Sequence, residues 1–246
     1  MSVKTDDELE RLRAIGKIVR RSLDHMAAAV RSGITTKELD WIGLRVLEQH
    51  GAEGAPGKVY GFPGTVCISV NDEAVHGVPS DRALRNGDLV KLDLVAMKDG
   101  FFADAAVTVR VGTVSRVADE IVRCAEAAFW RAMMVARAGF RCFHIGREIE
   151  REVRKQGFRV MPELGGHGVG RTIHEDPSVP NFYDRSARTR LSKGLVIAVE
   201  PIISAGSEDC LLLQDGWTIR TADRSISAHY EHTIVITDRE PILLTA

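Results

Sequence analysis

Cysteine is scarce in this 246-residue chain: Cys67, Cys124, Cys142 and Cys210 form no CxxC pair and no metal-finger spacing. That excludes a disulfide framework and fits a reducing, cytoplasmic setting. Long apolar runs are missing too. No stretch approaches the roughly 20 apolar residues of a membrane span, and "MSVKTDDELERLR" puts charge where a signal peptide needs an apolar core. The formal net charge is -1, so no general attraction to DNA or a membrane surface follows. No Pro/Ser-rich linker interrupts the chain, which reads as one domain over 1–246. Hydrophobic residues at 44% and charged residues at 27% are an ordinary globular balance with enough apolar material for a sizeable core.

The sequence is patterned nearly the same way twice. Leu9, Leu12, Ile15, Val19, Leu23, Met26 and Val30 recur at helical steps before Gly33. A second helix opens on a capping box, Thr35 to Glu38, and ends near Gly51. The runs "TVCISV", "LVKLDLVAMKDG" and "FFADAAVTVRVG" then read as strands. The pattern restarts with a helix from about Val117 to Gly139 and another to about Gly157. The glycine pairs 33/51 and 139/157 are both 18 residues apart and offset by 106, which also sets Leu39 on Ile145 and Leu47 on Val153. Strand-like "KGLVIAVEPIIS", "CLLLQDGWTIRT" and "HYEHTIVIT" follow. Two halves, about 7–112 and 113–240, built as helix-helix-strands around one sheet, predict an α+β architecture.

Within "LVKLDLVAMKDGFFADAA", Asp93 and Asp104 sit among apolar neighbours. Folding the two strands about Lys98-Asp99 sets these acids opposite each other, where two carboxylates repel unless a cation lies between them. Glu200 ends another apolar run, Glu231 precedes a β-branched one, and His167 and His174 lie in the glycine-rich "ELGGHGVGRTIHEDP". His76 precedes the acid hairpin in "AVHGVP". A single acid on a strand is ordinarily a surface or ion-pair residue, and "GGHGVG" lacks the Lys-Ser/Thr ending of a phosphate loop. Taken together, four acids in apolar settings and one glycine-flanked imidazole suit a pair of divalent metals bridged by water, an arrangement that acidifies that water.

These residues, in this order, resemble the methionine aminopeptidases, specifically the short type I bacterial form, from about Asp7 to Thr237. The shared motifs are "GFPGTVCISVND", "VHGVP", "GDLVKLDL", "DGFFADAA", "GHGVGRTIHEDP", "VEPIIS" and "DGWTIRTADRSISAHYEHT". The resemblance implies a pita-bread fold of two pseudo-symmetric halves around a curved antiparallel sheet. It implies two divalent ions (Co, Mn, Fe or Zn) on Asp93, Asp104, His167, Glu200 and Glu231, with Asp93 bidentate and Asp104 and Glu231 bridging. His76 and His174 would flank the scissile peptide, and Glu200 would pass a proton from water to the leaving amine. Phe62, Cys67 and Trp217 would receive the methionine side chain, with a cramped site for a small second residue. A monovalent cation is implied near Asn71 and Ser227. The implied partners are nascent polypeptide N-termini, with transient ribosome association and a monomeric state.

Some positions depart from the family pattern. Ala105 and Ala106 follow Asp104 where a hydroxyl residue is usual, Phe102-Ala103 replaces a smaller, more polar pair, and Ile173 replaces a common aromatic. His167 and Glu200 are 33 positions apart, too close for the helical insertion of type II enzymes. An X-Pro dipeptidase or aminopeptidase P would use the same five ligands but usually adds an N-terminal domain, whereas the first helix here begins by residue 7. A non-catalytic peptide-binding module on the same fold would typically have lost metal ligands.

Overall fold

Helix boundaries follow the caps. The structure, a computed structural model describing residues 1–246, starts α1 (Asp6–Ala29) where the Thr5 hydroxyl accepts the Glu8 N–H. Its buried stripe is Leu12, Ile15, Val19, Leu23 and Met26. α2 (Thr36–Gln49) opens on the expected capping box: Glu38 N–H donates to Thr35 Oγ1 at 3.1 Å, and Thr35 N–H donates to Glu38 Oε2 at 2.8 Å. A short α3 (Ala55–Tyr60), with proline in its first turn, precedes the strands. α4 (Arg116–Met133) ends six residues before the expected Gly139. There the backbone leaves the helix to bond across the fold: Ala138 N–H donates to Thr237 O and Gly139 N–H to Leu191 O. α5 (Cys142–Lys155) coincides with α2 under the shift of 106 residues.

Nine of the fifteen strands form one antiparallel sheet, and the other six form two three-stranded sheets. The main path of the nine-stranded sheet runs Glu53–Gly54, Leu89–Lys98, Phe101–Arg110, Glu231–Val235, Val196–Val199, Gly165–Gly168, Glu175–Pro180. Cys67–Val70 also pairs with Leu89–Lys98. Sequence reading missed the strands Gly165–Gly168 and Glu175–Pro180, because glycine and proline ordinarily weaken strands. Here glycine is required: a Cβ on Gly166 would lie 2.2 Å from the Ala198 carbonyl oxygen.

The acid hairpin turns at Asp99-Gly100, with φ 51° and 76°, the two positive values of a tight two-residue turn. The register is therefore two residues away from the one expected. Asp93 faces Ala106, and Asp104 faces Val95. A slip of one residue would have sent one acid to the other face, but a slip of two keeps both together. Val90, Leu92, Leu94 and Ala96 alternate with them into a 30-residue apolar cluster shared with α1 and α2. A second cluster of 26 residues packs α4 and α5 on the other half. Each fully buried leucine or isoleucine in these clusters is worth about 1.5–3 kcal/mol. The alternation thus turns Val90, Leu92, Leu94 and Ala96 toward the helices and leaves Asp93 and Asp104 on the other face of the sheet.

Candidate metal centre

One row across the sheet builds the floor of the site. Cys67 pairs with Asp93, Asp93 with Ala106, and Ala106 with Glu231. Extending the pairing of Glu231–Val235 with Val196–Val199 by one residue sets Glu200 opposite Glu231. Ala106 offers only a methyl group between Asp93 and Glu231, so the space between the acids stays open. Asp104 lies on the same face, two residues from Ala106. Its strand is tied to the next by Thr233, whose Oγ1 accepts the Asp104 N–H and donates to the Asp104 carbonyl, both at 2.8 Å. Asn181 Nδ2, fully buried, donates to the Glu200 carbonyl at 2.8 Å and fixes the chain where the strand ends at Pro201.

The electrostatics are unfavourable for the protein alone. Burial first, then the charges of Glu231 and Asp93, push the Asp104 carboxyl well above its ordinary value. Burial and the same neighbouring carboxylates do likewise for Glu200, and burial with Asp93 does so for Glu231. Burial also raises Asp93, partly offset by His229 and a hydrogen bond with Asp104.

His167 sharpens the problem. Its Nδ1 lies 2.9 Å from the Gly168 carbonyl, which can only accept, so Nδ1 carries the proton and Nε2 presents a lone pair. That lone pair faces Asp104 Oδ2 at 3.7 Å and Glu200 Oε1 at 3.5 Å. Burial, helped by the nearby His174, lowers the pKa of His167 to about 4, so the ring is neutral at pH 7. A lone pair directed at two acid oxygens is relieved only by a proton or a cation.

His229, which sequence reading did not single out, completes the arrangement. It is 1% exposed, and its Nε2 lies 3.5 Å from Glu200 Oε2 and 3.4 Å from Glu231 Oε2. Burial lowers its pKa to about 4. The period-two spacing to Glu231 in "HYE" was the available signal.

Two triplets with donor atoms within 4.8 Å of one another result: Asp104, His167 and Glu231, and Glu200, His229 and Glu231. Glu231 belongs to both. Asp104 Oδ1, Glu231 Oε1 and both ring nitrogens of His229 are buried without a hydrogen-bond partner. Buried polar atoms left this way, with carboxylate oxygens and an imidazole lone pair converging, fit divalent cations of hard-to-borderline character.

Above this floor lies a cavity of about 190 Å³. Its lining includes Phe62, Cys67, Trp217, His76 and His174, the remaining residues picked from the sequence as substrate contacts. Phe62 and Trp217 meet edge to face at 5.3 Å, and Ile173 adds a buried aliphatic wall. His76 takes a positive φ of 57°, a costly backbone for a non-glycine residue of the kind found at functional sites. Its pKa is lowered, chiefly by burial. His174 is exposed at the mouth, 4.2 Å from His167 ring to ring, and its Nδ1 lies 2.7 Å from the Tyr60 hydroxyl. Tyr60 was not anticipated, because it lies in α3, which the sequence does not announce.

Asn71 and Ser227 come together as expected, away from the floor, but a lysine already stands at their meeting point. Lys91 Nζ donates to Asn71 O at 2.7 Å and to Ser227 Oγ at 3.2 Å.

No helix is long and apolar enough to cross a membrane. The model of metallopeptidase family M24 matches residues 10–238. Methionine aminopeptidase 2 of Bacillus subtilis is 45% identical over 247 residues, spanning 100% of this chain and 99% of its own. A methionine aminopeptidase of Clostridium perfringens is 40% identical over 243 residues, spanning 99% of this chain and 98% of its own. Among solved structures, methionine aminopeptidase from Rickettsia prowazekii matches with a TM-score of 0.96 at 33% identity, covering 100% of both chains. With that likeness, the α+β architecture is the pita-bread fold expected from the sequence.

Proposed function

The chain belongs to metallopeptidase family M24 and, within it, to the methionine aminopeptidases, and from that premise we propose that it removes N-terminal methionine from nascent proteins and peptides with a small second residue. The observation that carries the reading is the convergence of the His167 lone pair with four raised-pKa carboxylates at the floor of a cavity with apolar walls.

Asp93, Asp104, His167, Glu200 and Glu231 would hold two divalent ions drawn from Co, Mn, Fe or Zn. When bound, such ions supply Lewis acidity to the peptide carbonyl and make water a nucleophile at neutral pH. The remaining work belongs to the protein. Phe62, Cys67, Ile173 and Trp217 bury the methionine side chain, and thioether contact with the two aromatic rings favours it. His76 and His174, neutral at pH 7 with pKa values lowered chiefly by burial, hydrogen-bond the scissile peptide. Tyr60 holds the orientation of His174. Glu200 takes a proton from the attacking water and passes it to the leaving amine. The proposed setting is the cytoplasm, as a monomer acting on chains that emerge from the ribosome.

The test is a substrate panel with metal-loaded protein: Met-Ala-Ser, Met-Leu-Ser and an X-Pro peptide. Release of methionine from Met-Ala-Ser, with Met-Leu-Ser slower, supports the proposal. Cleavage confined to the X-Pro peptide would point to the dipeptidase reading, and peptide binding without turnover to a binding module.

A further inference from the structure

Lys91 is 1% exposed, among the largest fully buried side chains in the protein, and no carboxylate forms an ion pair with it. Its ammonium is satisfied by neutral oxygens: Asn71 O at 2.7 Å, Ser227 Oγ at 3.2 Å and Ser227 O at 3.5 Å. Two backbone carbonyls and a hydroxyl around a cation are the ligand chemistry that a bound alkali ion or ammonium would use.

The cage is rigid. Asn71 takes a positive φ of 57°, its Oδ1 accepts the Leu89 N–H at 2.9 Å, and its Nδ2 donates to Asp88 Oδ1 at 2.8 Å. Ser227 N–H donates to the Asn71 carbonyl at 3.0 Å, closing the ring between the two segments. Three stretches of chain therefore meet at one ammonium. Lys91 is two residues from Asp93 on the same strand face. Asn71 turns the chain between Cys67–Val70 and Glu73–Val75, which delivers His76. Ser227 opens the strand Ser227–His229, which leads directly to Glu231. A second cation on the same oxygens would have to take the place that Lys91 Nζ already fills, 2.7 Å from Asn71 O and 3.2 Å from Ser227 Oγ. The monovalent ion implied by the family resemblance does not fit here.

We propose that the ammonium of Lys91 is a built-in cation that replaces a bound monovalent ion and holds in register the three segments carrying Asp93, His76 and Glu231. Lys91 is thus a positioning residue, not a catalytic one. The peptidase protein should be indifferent to which monovalent salt surrounds it, whereas shortening Lys91 should expose an oxygen-lined hole that binds Na⁺, K⁺ or NH₄⁺.

The experiment compares thermal unfolding of the Mn²⁺-loaded protein in choline, sodium, potassium and ammonium chlorides at equal ionic strength, for the unaltered chain, Lys91→Ala and Lys91→Met. The unaltered chain is expected to give one midpoint in all four salts. Lys91→Ala is expected to gain stability with a small cation over choline, saturably and in an order set by ionic size. Lys91→Met, whose side chain fills the hole, should not respond. Methionine release by Lys91→Ala in choline should fall about tenfold and recover with the same ions in the same order.

An unaltered chain whose midpoint rises specifically with Na⁺ or K⁺ would overturn the inference, as would a folded Lys91→Ala with no ion-specific response. If Lys91→Ala fails to fold in every salt, Lys91→Ser is read by the same criteria, and lack of response in both overturns it. The activity arm rests on the proposed peptidase function; the unfolding arm does not. An inactive protein with ion-responsive Lys91→Ala would refute the function and leave the inference standing.

Discussion

Replacing Asp104 by Asn removes one negative charge from the floor and keeps the side-chain size. Asp104 and Glu231 present donor atoms within 4.8 Å of each other. At that separation two like charges repel by about 3.5 kcal/mol at an effective dielectric of about 20. The metal-free protein already relieves part of this by keeping protons on its buried carboxyls, as their raised pKa values indicate. The net stabilisation of the metal-free variant is therefore about 1–2 kcal/mol, a rise in Tm of about 2–8 °C for a chain of this length. With divalent metal the sign reverses, because an anionic ligand has been lost and the amide binds a cation less well. Tm with saturating Mn²⁺ should fall below that of the unaltered protein, and methionine release should fall with it. The assay is calorimetric or fluorescence unfolding of both proteins, in chelator and in metal. A variant destabilised equally in both conditions would refute the reasoning, since it would show that Asp104 is held by the fold and not in conflict with its neighbours.

The metal-free protein should also lose stability progressively as pH rises above about 4–5, the ordinary carboxylate range, because carboxyls whose folded pKa is raised stabilise the fold while protonated. Unfolding midpoints across that range in chelator check this, and a flat profile would contradict it. Glu200→Gln should retain the fold, by circular dichroism, while methionine release drops by about 10²–10⁴-fold; activity within a few-fold of the original would remove Glu200 from proton transfer. Tyr60→Phe removes the 2.7 Å contact to His174 Nδ1 from a half-exposed ring, and the loss of about 1 kcal/mol should lower kcat/KM several-fold with Tm unchanged. A matching loss in Tm would make Tyr60 structural.

The chain's helices were legible because their caps and apolar stripes are local: the Thr35–Glu38 capping box and the buried Leu39 and Leu47 stand where the spacing put them. The acid hairpin was legible in kind but not in register, since the φ values at Asp99 and Gly100 decide between turns of similar sequence. The strand carrying His167 was hidden because Gly166 answers to the neighbouring backbone at Ala198, a long-range constraint invisible along the chain. At the site, Asp93, Asp104, His167, Glu200 and Glu231 could be picked out as charges in the wrong company, and the structure brings them to one floor. His229 escaped notice because an isolated buried histidine looks ordinary until the carboxylates at 3.4 and 3.5 Å are in view. Lys91 escaped for a similar reason. A lysine alternating with apolar residues reads as a snorkelling surface side chain, and only the three-dimensional meeting of Asn71 and Ser227 gives it a buried partner.

The most direct test of the two-ion account is a titration of chelator-stripped protein with Mn²⁺ or Co²⁺, following bound metal by calorimetry and methionine release from Met-Ala-Ser in parallel. The account predicts no release without metal, uptake of up to two ions per chain, and loss of that uptake in Asp104→Asn and His167→Ala. Full methionine release by protein shown to be metal-free would contradict it.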